Sequence, residues 1–224
     1  MARPSVLVVG ASRGLGLEFV RQYLADGAQV VATARTAQDV TALQALGASA
    51  LRLDVTDAAS ASVLAWQLDG VALDVAIVNA GVYGPRTAAL EVPSEADFDA
   101  VMHTNVLGPM RVVPQLADSL APGARLAVLS SEMGSISQRG ATAGWLYRAS
   151  KAALNSVLKD VSLVLGPRAI CVALHPGWVR TDMGGPHASL TPQHSVIGLR
   201  RVLDRLTPAQ TGGFFDHSGR EIPW

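Results

Sequence analysis

The sequence predicts an α/β fold, a single domain built on a doubly wound parallel sheet with helices on both faces. Short apolar runs alternate with longer helical stretches, which is the order expected when helices connect parallel strands. The chain has 224 residues, of which 49% are apolar, and this size suits one core better than two. No internal repeat or long polar linker divides it. We therefore expect one domain over 1–224.

Apolar runs rich in β-branched residues predict the strands. They lie at 5–9, 29–34, 49–53, 73–79, 124–129 and 168–175, with a seventh near 213–216. Right-handed connections between parallel strands leave few topologies other than a doubly wound sheet. Such a sheet binds its ligand at the carboxyl ends of the strands.

Helical patterns supply the crossovers between these strands. They lie at about 14–26, 57–69, 94–120, 145–166 and 191–206. The least regular stretch is 183–195, where glycines and prolines oppose a continuous helix. We expect this segment to be a loop over the substrate.

The charge balance and the cysteine content exclude several classes of protein. Eighteen basic residues balance eighteen acidic ones, which argues against nucleic acid or a membrane surface as a general partner. Cys171 is the one cysteine, so no intramolecular disulfide is possible. The first residues run at once into the first strand and are too short for a signal or transmembrane segment. These features predict a cytoplasmic protein.

A glycine-rich turn between the first strand and the first helix is a candidate phosphate-binding element. Main-chain N–H groups of such a turn, together with the helix N-terminus, can face a pyrophosphate. A strand-to-helix turn without a ligand is the alternative at this point. The residues of the turn are Gly10, Ser12, Arg13, Gly14, Leu15 and Gly16.

Two arginines, one directly after the second strand and one in the glycine-rich turn, favour NADP over NAD. No acidic residue follows the strand directly to grip a ribose 2′-hydroxyl, and Asp39 comes a few residues too late. Arg35 and Arg13 can instead pair with a 2′-phosphate. The alternative is that both are solvated surface charges.

Polar residues also end the third and fourth strands, at the edge where a ligand is expected. Asp54 and Val55 follow the third strand, and Asn79, Ala80 and Gly81 follow the fourth. The Asp54 carboxylate can accept from an adenine amino group. Each side chain is equally well a turn residue, because Asp and Asn bond local backbone at strand ends.

Tyr147 and Lys151 are the candidate chemical centre. Their spacing of four residues places the phenol and the ammonium on one helical face. A nearby cation stabilises phenolate, so Lys151 and an oxidised nicotinamide ring can draw the tyrosine pKa toward working pH. Such a tyrosine can act as a general acid/base. Taken alone, the spacing also fits an incidental surface pair.

These motifs together resemble the short-chain dehydrogenase/reductase family, and the match spans almost the whole chain. Within that family, the segments 130–136, 147–155 and 175–185 are similar to the C-factor and sniffer-like carbonyl reductase branch. The resemblance implies a Rossmann-type fold and an NADPH-dependent oxidoreductase acting on a small carbonyl or alcohol. The motifs are Gly10-x-x-x-Gly14-x-Gly16, Asp54-Val55, Asn79-Ala80-Gly81, Asn105, Ser131, Tyr147-x-x-x-Lys151 and Pro176-Gly177-Trp178-Val179-Arg180-Thr181.

The resemblance also implies roles for individual residues. Ser131 would hydrogen-bond the substrate carbonyl oxygen and Tyr147 would protonate it. Lys151 would hold the nicotinamide ribose, and Asn105 would complete a proton relay through water. Thr181 would meet the nicotinamide carboxamide. The remaining cofactor contacts would come from Asn79 to Gly81, Pro176, Gly177 and Val179.

Two positions need comment against the family pattern. Val9 stands before Gly10 where the family often has threonine, so a side-chain hydrogen bond that braces the turn would be missing. Cofactor binding should survive, because the main-chain donors remain. Asn105 has an alternative role as a helix-interior residue beside a bend at Pro109.

The choice of the catalytic serine rests on local pattern. Ser131 begins an SxxG pattern that ends at Gly134. The gap from this serine to Tyr147 is a few residues longer than is usual in the family. The neighbouring serines set aside are Ser130, Ser135 and Ser137.

Several large side chains lie close in sequence to the catalytic positions and can line an apolar substrate pocket. The alternative is that they pack helix ends or a subunit contact. His187 and His194 lack a convincing metal-ligand spacing, so we expect no metal. The pocket candidates are Glu132, Met133, Trp145, Trp178 and the 183–195 segment.

Two further expectations concern assembly and activity. By resemblance, the 94–120 and 145–166 helices pair between subunits in a homodimer or homotetramer. The competing functional hypothesis is an NADP-binding sensor or signalling protein with little turnover. The presence of Ser131, Tyr147 and Lys151 argues against it, because a sensor does not need a proton donor.

Overall fold

A computed structural model describes residues 3–224 and shows a seven-stranded, wholly parallel sheet in the order β3-β2-β1-β4-β5-β6-β7. The order reverses between β1 and β4, so the carboxyl ends of these two strands flank the crevice where such sheets bind ligands. This confirms the predicted fold class. The strands are β1 Ser5–Val9, β2 Gln29–Ala34, β3 Ser49–Arg52, β4 Leu73–Val78, β5 Leu120–Leu129, β6 Ala169–His175 and β7 Gly213–Asp216.

Helices cover both faces of the sheet. On one face, Phe19 and Leu199 pack in a fully buried cluster with Val8 of β1. On the other face, Leu158 packs with Leu126 of β5. The helices are α1 Gly14–Ala25, α2 Ala37–Ala45, α3 Ala58–Ser62, α4 Leu64–Gln67, α5 Glu95–Met102, α6 Gly108–Leu116, α7 Trp145–Leu165 and α8 Pro192–Arg205.

One helix, α2, was not predicted from the sequence. It spans Ala37–Ala45, buries only Leu43, and so carries almost no apolar periodicity. Its start is defined by a cap, because the Thr36 hydroxyl accepts from the main-chain N–H of Asp39 at 3.1 Å. The helix predicted at 57–69 is present, but it is divided into two short helices, α3 and α4.

The predicted helix at 94–120 is interrupted. After α5, residues His103–Leu107 form a π-helical turn. Helix α6 follows, and a 3-10 turn at Ala117–Ser119 ends the helical region. Strand β5 therefore begins at Leu120, four residues earlier than predicted. The π turn contains the buried Asn105 and is the kind of helix defect that is frequent at functional sites.

The predicted loop at 183–195 ends earlier than expected. Helix α8 begins at Pro192, because proline is tolerated at the first helical position and the Thr191 side chain caps the helix by accepting from His194 N. The irregular segment is closed by a bridge between Val179 and Leu190. We call residues 178–191 the lid segment.

The described residues contain no helix that combines the length and the apolar character needed to cross a bilayer.

Candidate active site

The glycine-rich turn after β1 is held by side chains from two other strands. The Thr33 hydroxyl of β2 accepts from Gly10 N at 3.1 Å, and the Asn79 amide after β4 donates to Gly10 O at 2.6 Å. The brace expected to be missing because of Val9 is therefore supplied by Thr33. Sequence reasoning missed this residue, since it lies on a neighbouring strand rather than in the motif.

The turn also needs glycine for steric reasons. A Cβ on Gly16 would collide with Gly10 O and would lie 2.7 Å from the Asn79 amide nitrogen. Gly14 has a φ of +54°, in the left-handed region that other residues rarely adopt. The main chain can therefore approach a bound group closely here, with α1 beginning directly behind it.

A cleft of about 450 Å³ lies in front of this turn, at the carboxyl ends of β1, β2, β3 and β4. Its walls come from the glycine-rich turn, from the ends of these strands and from the lid segment. The predicted cofactor residues that line it are Gly10, Ser12, Arg13, Gly14, Leu15, Arg35, Asp54, Val55, Asn79, Ala80, Gly81 and Thr181.

The two arginines of the cleft differ in their partners. Arg13 forms an exposed ion pair with Asp182 of the lid segment at 2.8 Å. Arg35 is exposed at the cleft and has no carboxylate partner within the described residues. Asp39 accepts from the Thr36 hydroxyl at 2.7 Å in the cap of α2 and does not line the cleft.

Asp54 shapes its own turn as well as lining the cleft. Its carboxylate accepts from the main-chain N–H of Thr56 at 2.9 Å and from the Thr56 hydroxyl at 2.7 Å. Partial burial opposes ionisation, but these hydrogen bonds and the charge of Arg35 lower the pKa of Asp54 below its ordinary value. The side chain is therefore ionised and fixed at the strand end.

Tyr147 and Lys151 lie together on the buried face of α7. The Lys151 ammonium lies 5.7 Å from the centre of the Tyr147 ring and donates to Leu129 O at the end of β5 at 2.7 Å. Ser131 follows two residues later and caps a 3-10 turn, its hydroxyl accepting from Met133 N at 3.2 Å. The spacing on α7 and the end of β5 thus bring all three residues together.

This group adjoins the inner end of the cleft. Gly81 lines the cleft, and a Cβ on it would lie 3.4 Å from Lys151 Nζ and 3.3 Å from Asn105 Oδ1. Met183 also lines the cleft, and its sulfur lies 3.9 Å from the Tyr147 hydroxyl. The phenol and the ammonium therefore border the same crevice as the glycine-rich turn.

Burial dominates the protonation of both groups. It raises the pKa of Tyr147 to about 12, with the Ser131 hydroxyl acting in the opposite direction and Tyr83 adding to the rise. It lowers the pKa of Lys151 to about 8. Lys151 alone therefore does not draw the tyrosine toward neutral pH, and the predicted lowering would require the positive charge of an oxidised nicotinamide.

Asn105 is buried and fully engaged with the main chain after β4. Its Oδ1 accepts from Val82 N at 2.8 Å, and its Nδ2 donates to Val82 O at 2.8 Å and to the Ser150 hydroxyl at 2.9 Å. Pro109 lies beyond the π turn, in the first turn of α6. Asn105 thus fastens the loop that carries Gly81 to helix α7.

The segment after β6 supports the cleft from the lid side. Thr181 lines it and approaches Gly14, whose Cβ would lie 3.4 Å from the threonine methyl. Pro176, Gly177 and Val179 do not line it; Pro176 O accepts from Ser195 at 2.7 Å, and Val179 is part of the bridge to Leu190.

The pocket candidates occupy different places around the catalytic group. Trp178 is exposed and donates to Gly184 O at 2.8 Å within the lid segment, whereas Trp145 donates to Glu91 O at 2.9 Å. Met133 would lie 3.4 Å from a Cβ on Gly144, near the start of α7.

Glu132 instead points toward the C-terminal turn. It forms an ion pair with Arg220 at 3.0 Å and lies 3.8 Å from His175. Burial lowers the pKa of His175 to about 4, although Glu132 opposes the shift, so this histidine is neutral at physiological pH.

Two residues near Tyr147 were not singled out from the sequence. Tyr83 stacks on the Tyr147 ring, and Arg86 lies over the Tyr83 ring. Both belong to the irregular segment after β4, where no periodicity or motif points to them. Asn155, the last residue of the 147–155 segment, accepts from the Ser130 hydroxyl at 2.6 Å, and sequence reasoning assigned it no role.

No metal cluster accompanies this site in the part of the chain that the structure describes. No group of three or more His, Cys, Asp or Glu side chains there is arranged to hold a metal ion. His194 instead contacts the Thr191 hydroxyl at 3.2 Å at the start of α8.

A doubly wound parallel sheet with a glycine-rich turn, a buried Tyr-Lys pair and an adjoining serine defines the class of nucleotide-dependent oxidoreductases with a short, single-domain chain. Comparison with known families agrees, because residues 4–189 match the short chain dehydrogenase family. The chain belongs to this family and is an oxidoreductase.

Individual relatives confirm the resemblance to the C-factor and sniffer-like branch. C-signal of Myxococcus xanthus is 44% identical over 155 residues, which are 68% of this chain and 93% of that protein. A short-chain dehydrogenase/reductase of Burkholderia multivorans with bound NADP has a TM-score of 0.90 and 36% identity, over 100% of both chains. Carbonyl reductase Sniffer of D. melanogaster has a TM-score of 0.89 and 29% identity, also over 100% of both chains.

Proposed function

We propose that the protein is an NADPH-preferring carbonyl reductase that transfers hydride between the nicotinamide and a small carbonyl or alcohol compound. The observation that carries the proposal is the buried group of Tyr147, Lys151 and Ser131. It adjoins Gly81 and Met183, which line the cleft in front of the glycine-rich turn. A proton donor, a cation and a second hydroxyl beside a nucleotide-sized cleft are the set that carbonyl reduction requires.

The residues of the cleft fit a dinucleotide phosphate. The turn from Gly10 to Gly16 offers main-chain donors and a close approach, and α1 adds the positive end of its dipole. Arg35 is free of carboxylate partners within the described residues, so it is available for a 2′-phosphate. The relative from Burkholderia multivorans was crystallised with NADP, which agrees with this preference.

The other cofactor contacts are proposed from the sequence motifs and the family resemblance, and most of these residues line the cleft. Asp54 and Val55 would meet the adenine, and Asn79, Ala80 and Gly81 would line the adjoining ribose and nicotinamide side. Thr181 would meet the carboxamide, while Pro176, Gly177 and Val179 would hold its segment in place.

Catalysis follows from charge that develops on the carbonyl oxygen. When bound, the reduced nicotinamide supplies the hydride. Ser131 and Tyr147 donate hydrogen bonds to the carbonyl oxygen, and Tyr147 gives up its hydroxyl proton as negative charge grows there. Because both donors are fixed in a buried setting, they stabilise the transition state more than the ground state.

Lys151 and Asn105 support the action of Tyr147 without donating to the carbonyl oxygen themselves. The Lys151 ammonium, anchored on Leu129 O, would contact the nicotinamide ribose and stabilise the phenolate after proton transfer. Asn105 holds the loop at Val82 and thereby positions Gly81 beside the ammonium. Its place in a relay that returns a proton to Tyr147 is proposed from the family resemblance alone.

The variant Tyr147→Phe tests this mechanism. Loss of the proton donor should reduce kcat by about 10²- to 10⁴-fold, while the dissociation constant for NADPH stays within about twofold because the phenol contributes little to nucleotide binding. The measurement is NADPH consumption over a panel of aldehydes, ketones and quinones, beside a fluorescence titration of NADPH. Parental rates in the variant would refute the mechanism.

The same panel separates the enzyme from the sensor hypothesis. Tight NADPH binding without turnover of any panel member would favour an NADP-binding signalling protein. Assembly is tested independently: we propose a homodimer or homotetramer that pairs the α5–α6 region and α7 between subunits. A single-subunit mass in light scattering would contradict it.

A further inference from the structure

The loop after β4 places a second tyrosine directly on the catalytic one. The rings of Tyr83 and Tyr147 stack with centroids 4.5 Å apart and an interplanar angle of 22°. Tyr83 is confined on its far side by Gly144, which has a φ of +67° and whose Cβ, if present, would collide with the Tyr83 hydroxyl. The local main chain at the start of α7 thus leaves room for Tyr83 in this one position.

Arg86 extends the contact to the lid segment. Its guanidinium carbon lies 4.9 Å from the centre of the Tyr83 ring, and its Nη2 donates to Met183 O at 2.6 Å. The Met183 sulfur lies 3.9 Å from the Tyr147 hydroxyl. Together with the stack, these contacts link Arg86, Tyr83, Tyr147 and Met183 in a ring. They join the loop after β4 to the lid segment and to the catalytic hydroxyl.

Lys151 adds a further contact to the same pair of rings. Its ammonium lies 5.7 Å from the centre of the Tyr147 ring, as the Arg86 guanidinium carbon lies 4.9 Å from the centre of the Tyr83 ring. Stacked aromatic rings and cation–π contacts each favour one relative orientation of the groups involved. These contacts can therefore hold the phenol in one orientation.

We propose that Tyr83 and Arg86 are positioning residues of the reductase. Tyr83 fixes the ring of Tyr147 by stacking, and Arg86 couples the closed lid segment to that ring through Met183. The inference rests on the proposed function, but the contact itself does not. Neither residue is required to touch the reacting carbonyl.

Positioning of this kind has a large effect on rate because proton transfer needs close geometry. A displacement of about 1 Å at a catalytic group can reduce turnover about 100-fold. Tyr147 lies in the first turn of α7, and Tyr83 from the loop after β4 stacks on its ring. Removing the stack should therefore lower kcat more than it alters cofactor binding.

Tyr83 also affects the acidity of the catalytic phenol. Burial is the main reason for its high pKa, and Tyr83 raises the pKa further, against the Ser131 hydroxyl. The groups that face Tyr147 are Tyr83 from the loop, Ser131 from the end of β5, Met183 from the lid segment and Lys151 from α7. The variant Tyr83→Phe keeps the stacked ring and therefore separates the effect of the stack from that of the hydroxyl.

The closing experiment compares Tyr83→Phe, Tyr83→Leu, Arg86→Met and the Leu/Met double variant in NADPH-dependent reduction of benzaldehyde. Tyr83→Leu should lose about 10-fold in kcat, the equivalent of about 1.4 kcal/mol, with an unchanged NADPH dissociation constant. Tyr83→Phe should retain kcat within about twofold, because the stacked ring remains. Arg86→Met should lose less, and the double variant should lose less than the product of the single effects, because both residues act on the Tyr147 ring through the same contacts.

Trp66→Leu is the matched control, since this aromatic side chain is 80% exposed on α4, outside the proposed subunit contact, and should show no change. Equal losses in Tyr83→Phe and Tyr83→Leu would overturn the inference, because the hydroxyl rather than the stack would then matter. Parental kcat in Tyr83→Leu, or fully multiplicative losses in the double variant, would also overturn it.

A second measurement separates this inference from the proposed function. The chain has three tyrosines, so ring-labelled ¹³C-tyrosine gives three signals that single Phe substitutions assign. The Tyr147 signal should stay close to its parental position in Tyr83→Phe, and should move and broaden in Tyr83→Leu, whether or not the protein turns over a carbonyl. An unchanged Tyr147 signal in both variants would refute the contact, whereas absent turnover in the parent would refute only the reductase.

Discussion

The two ends of the cleft are built in different ways. At the nucleotide end, Gly10 is held on both its N–H and its carbonyl by Thr33 and Asn79, so the binding surface is main chain fixed by buried strands. At the lid end, the contacts come from long, partly exposed side chains, such as Arg86 on Met183 O and Trp178 on Gly184 O. The first end is therefore rigid by construction, and the second can change shape while the sheet stays intact.

The largest effect should follow a change at the rigid end. Gly16→Val places two methyl groups against Gly10 O and the Asn79 amide, where even a Cβ does not fit. We expect no measurable NADPH binding, together with a loss of about 1–3 kcal/mol in the free energy of unfolding, which is usual for overpacking. Nucleotide titration and urea denaturation measure the two effects.

Gly140→Ala is the matched control for that substitution, because nothing lies within 4 Å of its Cβ position and its φ is not positive. It should bind NADPH as the parent does. Retained NADPH binding in Gly16→Val would mean that the turn adjusts, and the contrast between the two ends would disappear.

The next largest effect should come from replacing Lys151, which should change how the free energy of unfolding depends on pH. Its pKa is about 8 in the folded protein and near 10.5 in the unfolded chain, so the unfolded chain holds the proton more tightly between these values. The stability of the parent relative to Lys151→Met should therefore rise as pH increases from 8 to 10.5, by up to about 3 kcal/mol.

Urea denaturation of the cofactor-free proteins at several pH values measures this difference. Below pH 8 the full penalty of the buried ammonium is present, and above 10.5 it is absent. Parallel stability profiles for the parent and Lys151→Met would show that the ammonium is not desolvated. The inner end of the cleft would then contribute nothing to the dependence of stability on pH.

Replacing Arg35 or Arg13 compares two arginines of the nucleotide site, of which only Arg13 is paired with the lid segment. Arg35→Ala should weaken NADPH binding by about 10- to 100-fold, as expected for a hydrogen bond between charged groups, and leave NADH binding unchanged. Arg13→Ala should have a smaller effect, because Arg13 is already paired with Asp182 of the lid segment. Equal weakening of NADPH and NADH in Arg35→Ala would refute its role toward the 2′-phosphate.

The same contrast explains what the sequence could predict. The doubly wound parallel sheet and the convergence of Tyr147, Lys151 and Ser131 follow from apolar runs and from motifs, because parallel strands bring their carboxyl ends to one edge. Helix α2 escaped prediction because it buries a single leucine and depends on the Thr36 cap. A search for capping residues, in addition to periodicity, could have found it.

Long-range side-chain contacts could not be read from the chain. The brace by Thr33 joins residues 23 apart in sequence, and the link from Arg86 to Met183 joins residues 97 apart. The π turn at Asn105 likewise depends on hydrogen bonds to Val82, which no local pattern encodes. Such contacts are set by tertiary packing, so the lid end was predicted less completely than the nucleotide end.

The smallest effect should come from the lid segment. Trp178→Phe keeps an aromatic side chain but removes the indole N–H that donates to Gly184 O at 2.8 Å. One neutral hydrogen bond contributes roughly 0.5–1.5 kcal/mol, so KM for the carbonyl should rise by about two- to tenfold. Because Tyr147 and the glycine-rich turn are untouched, kcat and the dissociation constant for NADPH should stay within about twofold of the parental values.

Trp66→Phe is the matched control, since Trp66 is 80% exposed on α4 and makes no part of the cleft lining. Steady-state kinetics with benzaldehyde should then distinguish the two variants by KM alone. A fall in kcat in Trp178→Phe as large as that in Tyr147→Phe would mean that the lid segment takes part in the chemical step. The adjustable end would then be as closely tied to catalysis as the rigid one.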